Sequence, residues 1–115
     1  MQLMTDQEIL AIVSPMVERM LLGWDENDYA KFTSHFSEKF LQFITKEEFD
    51  KQRGAIFPQL GKHTNLKFIH IHRNPDNVVV IWEIAYTGRS MPALALCVFI
   101  KVEHGFVMSA VGLCT

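Results

Sequence analysis

The sequence predicts an α+β domain in which N-terminal helices pack on a curved antiparallel sheet of four strands. Apolar residues recur at helical spacing before His63, and after it they alternate or run together as they do in strands. Helices first and strands second are typical of the α+β class. A chain of 115 residues, 49% hydrophobic and 21% charged, is long and apolar enough for one packed core. We therefore expect residues 1–115 to form a single domain.

The first predicted helix begins at a capping box, in which Thr5 precedes Glu8 by one helical turn. Pro15 interrupts this helix, because proline lacks the N–H donor and clashes with the preceding turn. We expect a kink there, or a restart with Ser14 as the cap. Gly23 is placed as a C-cap glycine would be. The apolar face consists of Ile9, Val13, Met16, Val17, Met20, Leu21 and Trp24.

Two short helical segments are expected next, followed by a longer helix. The first begins near Asp25 or Asn27, and Ser37 caps the second. Their apolar residues are Tyr29, Phe32 and Phe36, then Phe40, Leu41 and Ile44. The longer helix begins at a second capping box, residues 45–48, and ends at Gly61. Because it contains Pro58, we expect its last turn to be shortened or distorted.

Four strands are expected in the second half of the chain. They span residues 66–73, 78–87, 93–103 and 106–114. The Asn-Pro-Asp-Asn segment at 74–77 is a strong turn signal, and the His-Gly pair at 104–105 is a second one. Short turns join neighbouring strands that run in opposite directions, so the sequence predicts an antiparallel meander.

The predicted turn fixes the register of the first two strands. If Pro75 and Asp76 are its central residues, Ile71 faces Val80 and Ile69 faces Trp82. One face then carries Ile69, Ile71, Val80, Trp82, Ile84 and Tyr86, and the other carries Phe68, His70, His72, Val79, Ile81 and Glu83. The third and fourth strands are apolar on both faces, and helices cover only one. We therefore expect a homodimer that forms through the sheet.

Charge and cysteine content exclude several classes of protein. Eleven basic and 13 acidic residues leave a formal charge of −2, which argues against nucleic acid as a partner. The uncharged segment 90–100 is far shorter than the ~20 residues of a membrane-spanning helix. No leader pattern is evident near the N-terminus, so we expect a cytoplasmic protein. Cys97 and Cys114 have no zinc or disulfide spacing, and we expect neither a metal nor a cofactor.

A series of residues before the sheet resembles the NTF2-like (cystatin-like) superfamily. The series consists of Asp28-Tyr29, Phe32, Phe36, Thr45 with Phe49, and Leu60-Gly61. It is most similar to small bacterial members of unknown function. The resemblance implies a curved sheet wrapped around a helix, a cone-shaped cavity between them, and frequent dimers.

Enzymes of that superfamily, such as ketosteroid isomerase and the SnoaL-like cyclases, place acidic residues and a tyrosine in the cavity. Here the inward face of the first helix has no tyrosine, and residues 108–111 of the last strand include no carboxylate. No catalytic residue is therefore carried over from the resemblance. We expect a non-catalytic domain that binds a small apolar ligand in the cone. The alternative is an isomerase, cyclase or dehydratase of the SnoaL or ketosteroid isomerase kind.

Six residues are candidates for lining the cavity. They are Met20, Trp24, Tyr29, Trp82, Tyr86 and Met108. Trp82 and Tyr86 share one strand face, where the tyrosine hydroxyl would offer a ligand one directed hydrogen bond. Trp24 and Tyr29 would close the wide end of the cavity. Ordinary core packing is the alternative for these side chains.

The enzyme alternative depends on His70 and Glu83. Glu83 is the only carboxylate well inside a predicted strand, and the register places His70 diagonally across from it. A glutamate and a histidine within reach of each other can work as an acid–base pair. A polar patch on the outside of the sheet is the alternative interpretation. The side of the sheet that carries both residues decides between them.

Overall fold

A computed structural model describes residues 4–115 and confirms the α+β class. Four helices precede a four-stranded antiparallel sheet that is curved and does not close. The helices are α1 (Asp6–Glu26), α2 (Tyr29–Phe32), α3 (Glu38–Phe43) and α4 (Lys46–Leu60). The strands are β1 (His63–Arg73), β2 (Val78–Tyr86), β3 (Ala93–Val102) and β4 (Gly105–Cys114). The order across the sheet is β1-β2-β3-β4, the predicted meander.

Helix α1 begins at the predicted capping box and runs without a restart through Pro15. The Thr5 hydroxyl accepts from the Glu8 backbone N–H at 3.1 Å, and the Glu8 carboxylate accepts from the Thr5 backbone N–H at 2.9 Å. The expected restart at Ser14 is wrong. The buried face continues on both sides of the proline, so packing against the sheet offsets the lost hydrogen bond.

Gly23 is not the C-cap of α1, because the helix continues to Glu26 and ends at Asn27. Asn27 adopts the left-handed conformation, with φ 58°, and its N–H bonds to the Gly23 and Trp24 carbonyls. Gly23 has a different role. A Cβ atom there would lie 2.3 Å from the backbone nitrogen of Phe32. Glycine therefore allows α2 to pack directly against the backbone of α1.

The next three helices begin at side-chain caps. Asp28, Ser37 and Thr45 accept hydrogen bonds from backbone N–H groups at the starts of α2, α3 and α4. The caps at Ser37 and Thr45 are those predicted, whereas α2 begins later than expected and ends before Phe36. Helix α4 passes through Pro58 and ends at Gly61, where φ is 75°.

The register of β1 and β2 agrees with the prediction near the turn and departs from it farther on. Ile71 pairs with Val80 as predicted, but Trp82 pairs with Phe68 and not with Ile69. The pairing shifts between Phe68 and His70, so Ile69 is the extra residue of a β-bulge and is 42% exposed. The assignments of Ile69 to the buried face and of Phe68 to the face of His70 are therefore wrong.

The two faces of the sheet differ in what covers them. One face packs on α1, and the buried core there includes Val13, Val17, Val80, Trp82, Cys97, Phe99 and Met108. We call the opposite side the outer face. It carries Val79, Ile81, Glu83, Leu94, Leu96, Val98 and Ile100, and no helix of residues 4–115 packs on it. Leu94, Leu96 and Ile100 remain 36 to 39% exposed.

Candidate ligand-binding cavity

A cavity of about 480 Å³ lies between the helices and the inner face of the sheet. Helix α1 contributes Met20, Leu21 and Trp24 to its walls, and the strands contribute Ile84, Tyr86, Ala95, Val111 and Leu113. The remaining wall is formed by Phe32, Phe36, Phe40, Ile44, Phe49, Gln52, Ile56 and Leu60. Among these residues only Gln52, Tyr86 and the indole N–H of Trp24 contribute a polar side-chain group. The cavity is therefore almost entirely apolar.

An aromatic cluster fixes the start of α4 beside the end of α1. The Phe49 ring lies 4.9 Å from the Phe32 ring, 5.6 Å from Tyr29 and 5.9 Å from Trp24, measured between centroids. Such tilted and edge-on contacts are favourable geometries for aromatic pairs. Phe49 is buried as a result, and Trp24 and Phe32 each keep one side toward the cavity.

Helix α4 covers the cavity while burying few of its own side chains. Only Phe49 and Leu60 among its residues are buried. Between them, Arg53 donates from Nε to the Trp24 carbonyl at 2.6 Å and from Nη2 to the Asp25 carbonyl at 3.1 Å. These bonds satisfy two carbonyls at the end of α1. Arg53 therefore fixes α4, which covers the cavity, to the end of α1.

The structure divides the six predicted pocket residues into two groups. Met20, Trp24 and Tyr86 line the cavity. Tyr29, Trp82 and Met108 do not. The Tyr29 hydroxyl donates to the Ile44 carbonyl at 2.5 Å, and Trp82 and Met108 are buried in the core. For these three residues the structure gives the packing alternative.

His70 and Glu83 both lie on the outer face, away from the cavity. His70 pairs with Ile81 in the strand register, and Glu83 pairs with Lys67. Among the described residues, no hydrogen bond or ion pair joins His70 to Glu83. His70 is exposed and Glu83 is half-buried. The sheet thus separates this predicted acid–base pair from the enclosed space.

A second histidine–carboxylate pair joins α1 to β1 and was not predicted. His63 Nδ1 lies 2.6 Å from Asp25 Oδ2, and the His63 backbone N–H donates to Asp25 Oδ1 at 3.2 Å. The two residues are 38 positions apart, and no motif connects them. Because a carboxylate accepts hydrogen bonds, Nδ1 carries a proton and donates it to Asp25. The other ring nitrogen, Nε2, takes no part in this bond. The pair borders the cavity walls at Trp24 and Tyr86 without itself lining them.

Two buried groups next to this region have perturbed ionisation. Burial, and to a lesser extent the Asp25 carboxylate and Cys97, raises the pKa of Tyr86 to about 12. Burial alone raises the pKa of the Cys97 thiol to about 12. Both groups are therefore protonated at neutral pH.

The described residues provide neither a membrane-spanning helix nor a metal-binding cluster. In particular, none of the helices within 4–115 combines the length and hydropathy that a membrane span requires. No group of three or more His, Cys, Asp or Glu side chains in that range is arranged to hold a metal ion. The cytoplasmic location stays a prediction.

Comparison with known proteins shows a likeness in fold only. No protein-family model and no curated protein matches the chain. A solved structure from Thiobacillus denitrificans, provisionally assigned as a calcium/calmodulin-dependent protein kinase type II association domain, matches with a TM-score of 0.64 and 13% identity. The match covers 87% of this chain and 91% of that one.

Two other solved structures match less strongly. An NTF-2-like protein of unknown function from Shewanella oneidensis has a TM-score of 0.54 and 10% identity, over 88% of this chain and 94% of that one. AclR from Streptomyces galilaeus, provisionally assigned as a hydroxylase, has a TM-score of 0.51 and 12% identity, over 88% and 77%. The chain therefore has the NTF2-like fold that its sequence resemblance implied.

Proposed function

From this NTF2-like fold we propose that the chain is a non-catalytic domain that binds a small apolar ligand and dimerises through its outer face. The observation that carries the ligand proposal is the cavity of about 480 Å³. Pockets that enclose small molecules typically measure ~300–1,000 Å³ and are mostly apolar with a few polar groups. This cavity fits both descriptions. A ligand that fills it gains the free energy of removing apolar surface from water, ~25 cal/mol per Å².

The chemistry of the lining favours binding over acid–base catalysis. No Asp, Glu, His, Lys or Arg is among the residues within 4–115 that line the cavity. The predicted pair of His70 and Glu83 lies on the other side of the sheet. An isomerase, cyclase or dehydratase needs a proton donor or acceptor in contact with the substrate, with a pKa near the working pH. The Tyr86 hydroxyl does not meet this condition, because its pKa is raised to about 12. The geometry thus supports a binding role in preference to these enzymes.

The outer face supports the proposal of a homodimer. Its exposed leucines and isoleucine on β3 are of the kind that soluble domains seldom leave in contact with water. Lys67 and Glu83 are direct neighbours across β1 and β2 on this face. Because both copies of a two-fold dimer present the same surface, a face that carries both signs of charge offers opposite charges to its copy, whereas a face of one sign would repel itself. The chemistry of the face therefore suits a second copy of this chain.

Ligand binding can be tested with the neutral fluorescent probe N-phenyl-1-naphthylamine. The purified protein is expected to bind it with micromolar affinity. Ala95→Phe should abolish binding, because Ala95 lies on the cavity wall and a phenyl ring there fills the space. Ala55→Phe, at an exposed position on α4, is the matched control and should bind as the parent does. Absence of binding by the parent protein would overturn the proposal.

The dimer can be tested by light scattering at micromolar concentration. The parent protein should have twice the mass of one chain. Leu96→Glu should give a monomer, because it places a charge in the middle of the outer face. Leu22→Glu, on an exposed part of α1, should remain dimeric. A monomeric parent protein would contradict the proposed dimer and leave the ligand proposal standing.

A further inference from the structure

Tyr86 presents a hydroxyl to the mostly apolar cavity, whose other polar side-chain groups are the Gln52 amide and the indole N–H of Trp24. Its residue is 6% exposed and lies on the inner face of β2, as Ile84 does. Gln52 lies on the exposed side of α4, where its amide donates to Glu48 Oε1 at 2.9 Å, and Trp24 is half-buried. Of the three polar groups, the Tyr86 hydroxyl thus belongs to the one buried residue.

Among residues 4–115 the Tyr86 hydroxyl forms no hydrogen bond, whereas the Tyr29 hydroxyl donates to the Ile44 carbonyl. In the same part of the chain, no fully enclosed side-chain oxygen or nitrogen lacks a partner. The Tyr86 oxygen therefore retains access to open space, and the space that its side chain borders is the cavity. A ligand that fills the cavity excludes water from this oxygen, so a ligand that supplies a hydrogen-bond partner is favoured over one that does not.

The protonation of Tyr86 and its surroundings determine which partner suits it. Tyrosine is a neutral phenol at neutral pH, and burial raises the pKa of Tyr86 further, to about 12, so the hydroxyl keeps its proton and donates a hydrogen bond. The Asp25 carboxylate is near enough to contribute to this shift, and it opposes further negative charge close by. No lining residue within 4–115 offers a positive charge to an anion. A ligand carboxylate would therefore lose its hydration without compensation.

We infer that the cavity takes an uncharged ligand with an apolar body and one acceptor oxygen, such as a ketone or ester, which accepts a hydrogen bond from the Tyr86 hydroxyl. This inference rests on the proposed function, since it names the class of ligand for the same cavity. It makes the Tyr86 hydroxyl the buried donor that distinguishes a ketone or ester from a hydrocarbon of similar size, while the apolar walls provide most of the affinity.

The inference is tested with octane, 2-octanone and octanoate, which share one chain length. Each competes with N-phenyl-1-naphthylamine at neutral pH on the parent protein, on Tyr86→Phe and on the control Tyr29→Phe. Tyr86→Phe should weaken 2-octanone about three- to tenfold, the size of one hydrogen bond between uncharged groups, and leave octane within about twofold. On the parent protein octanoate should bind at least about tenfold more weakly than 2-octanone.

The control and a spectroscopic signal separate a hydrogen bond from a loosened fold. Tyr29→Phe removes a hydroxyl that lies outside the lining, so the ratio of ketone to octane affinity should not change. The carbonyl stretching frequency of bound 2-octanone should be lower on the parent protein than on Tyr86→Phe.

Three results would overturn the inference. An equal effect of Tyr86→Phe on octane and 2-octanone, or a loss of the ketone preference in Tyr29→Phe as well, would remove Tyr86 as the donor. Octanoate binding as tightly as 2-octanone would refute the uncharged ligand class. In each of these cases apolar ligands still bind, so the proposed function survives. If neither the probe nor any of the three compounds binds, the proposed function fails and the inference fails with it.

Discussion

His63 and Asp25 form a mostly buried pair that joins the start of the sheet to the end of the central helix. The ring nitrogen Nδ1 lies 2.6 Å from Oδ2, and the two side chains are 17% and 9% exposed. The carboxylate also accepts the backbone N–H of His63. One side chain of α1 therefore holds both the backbone and the ring of the first strand residue, next to the cavity wall.

Asp25→Asn should destabilise the protein by about 1–3 kcal/mol at neutral pH. The substitution weakens two hydrogen bonds to a carboxylate that has little contact with water. Denaturant unfolding measures the loss. The control is Asp50→Asn, which removes an exposed ion pair with Lys46 on α4 and should cost less than about 0.5 kcal/mol. Equal losses for the two variants would show that the Asp25–His63 pair is not structural.

Trp82→Ala should cost about 3–5 kcal/mol, because Trp82 is buried in the core and its ring packs edge-on against Phe99 at 6.3 Å. Thermal or denaturant unfolding measures the change. Phe43→Ala, at a side chain that is 68% exposed, should cost less than about 0.5 kcal/mol. A loss below about 1 kcal/mol for Trp82→Ala would mean that β2 has the opposite face toward the helices.

Substitution of alanine for two helical glycines should change the stability of the protein in opposite directions. At Gly54 an added Cβ meets nothing within 4 Å, so Gly54→Ala should stabilise α4 by about 0.5–1 kcal/mol. At Gly23 the added Cβ would lie 2.3 Å from the Phe32 backbone nitrogen. Gly23→Ala should therefore destabilise by more than about 2 kcal/mol, because α2 must move away from α1. Melting temperatures of both variants test this, and a neutral Gly23→Ala would refute the close contact.

The two cysteines should differ strongly in reactivity toward iodoacetamide. Burial raises the pKa of Cys97 from 9.0 to about 12, which lowers its thiolate fraction about a thousandfold near pH 8. Cys114 is exposed. Mass spectrometry of the native protein should find Cys114 alkylated first, and Cys97 alkylated only when the protein is unfolded. Rapid labelling of Cys97 in the native protein would contradict the packing of β3 against α1.

Ionisation of Tyr86 should destabilise the folded protein at alkaline pH. Its pKa is raised from 10.0 to about 12 in the folded protein, so the folded state retains the phenol proton longer than the unfolded state does. The contribution of Tyr86 to the free energy of unfolding is therefore fully present below pH 10. It is lost as the pH rises toward 12, which lowers that free energy by about 2–3 kcal/mol. Denaturant unfolding between pH 9 and 12 measures this loss. Tyr86→Phe should show a shallower decline, and an identical decline would assign the effect to other groups.

Local chemistry made the helix starts and the strand order predictable. The caps at Thr5, Ser37 and Thr45 each bond to an N–H group only one helical turn away, so the signal and the structure occupy the same few residues. The turn at 74–77 works in the same way, since Asn74 bonds to Asn77. Signals of this range are readable without knowledge of the rest of the fold.

The predictions of a helix restart at Pro15 and a helix end at Gly23 were wrong, because packing against distant segments outweighed the local preference. Pro15 does not interrupt α1, because the buried face on either side of it is held by the sheet. Gly23 looked like a helix end, but its role comes from the backbone of α2. The Ile69 bulge changed the predicted faces of β1, because a single extra residue reverses which side chains point inward.

Local patterns in the chain were sufficient to predict the class of the fold, the order of its elements and the apolar character of both sheet faces. The packing of distant segments was needed to show that His70 and Glu83 lie on the outer face, that Asp25 meets His63, and that Tyr86 lines the cavity. These two kinds of feature differ in the distance along the chain over which the interactions act. Caps and turns depend on hydrogen bonds within about four residues, whereas a cavity and its contacts depend on how segments far apart in the chain pack together.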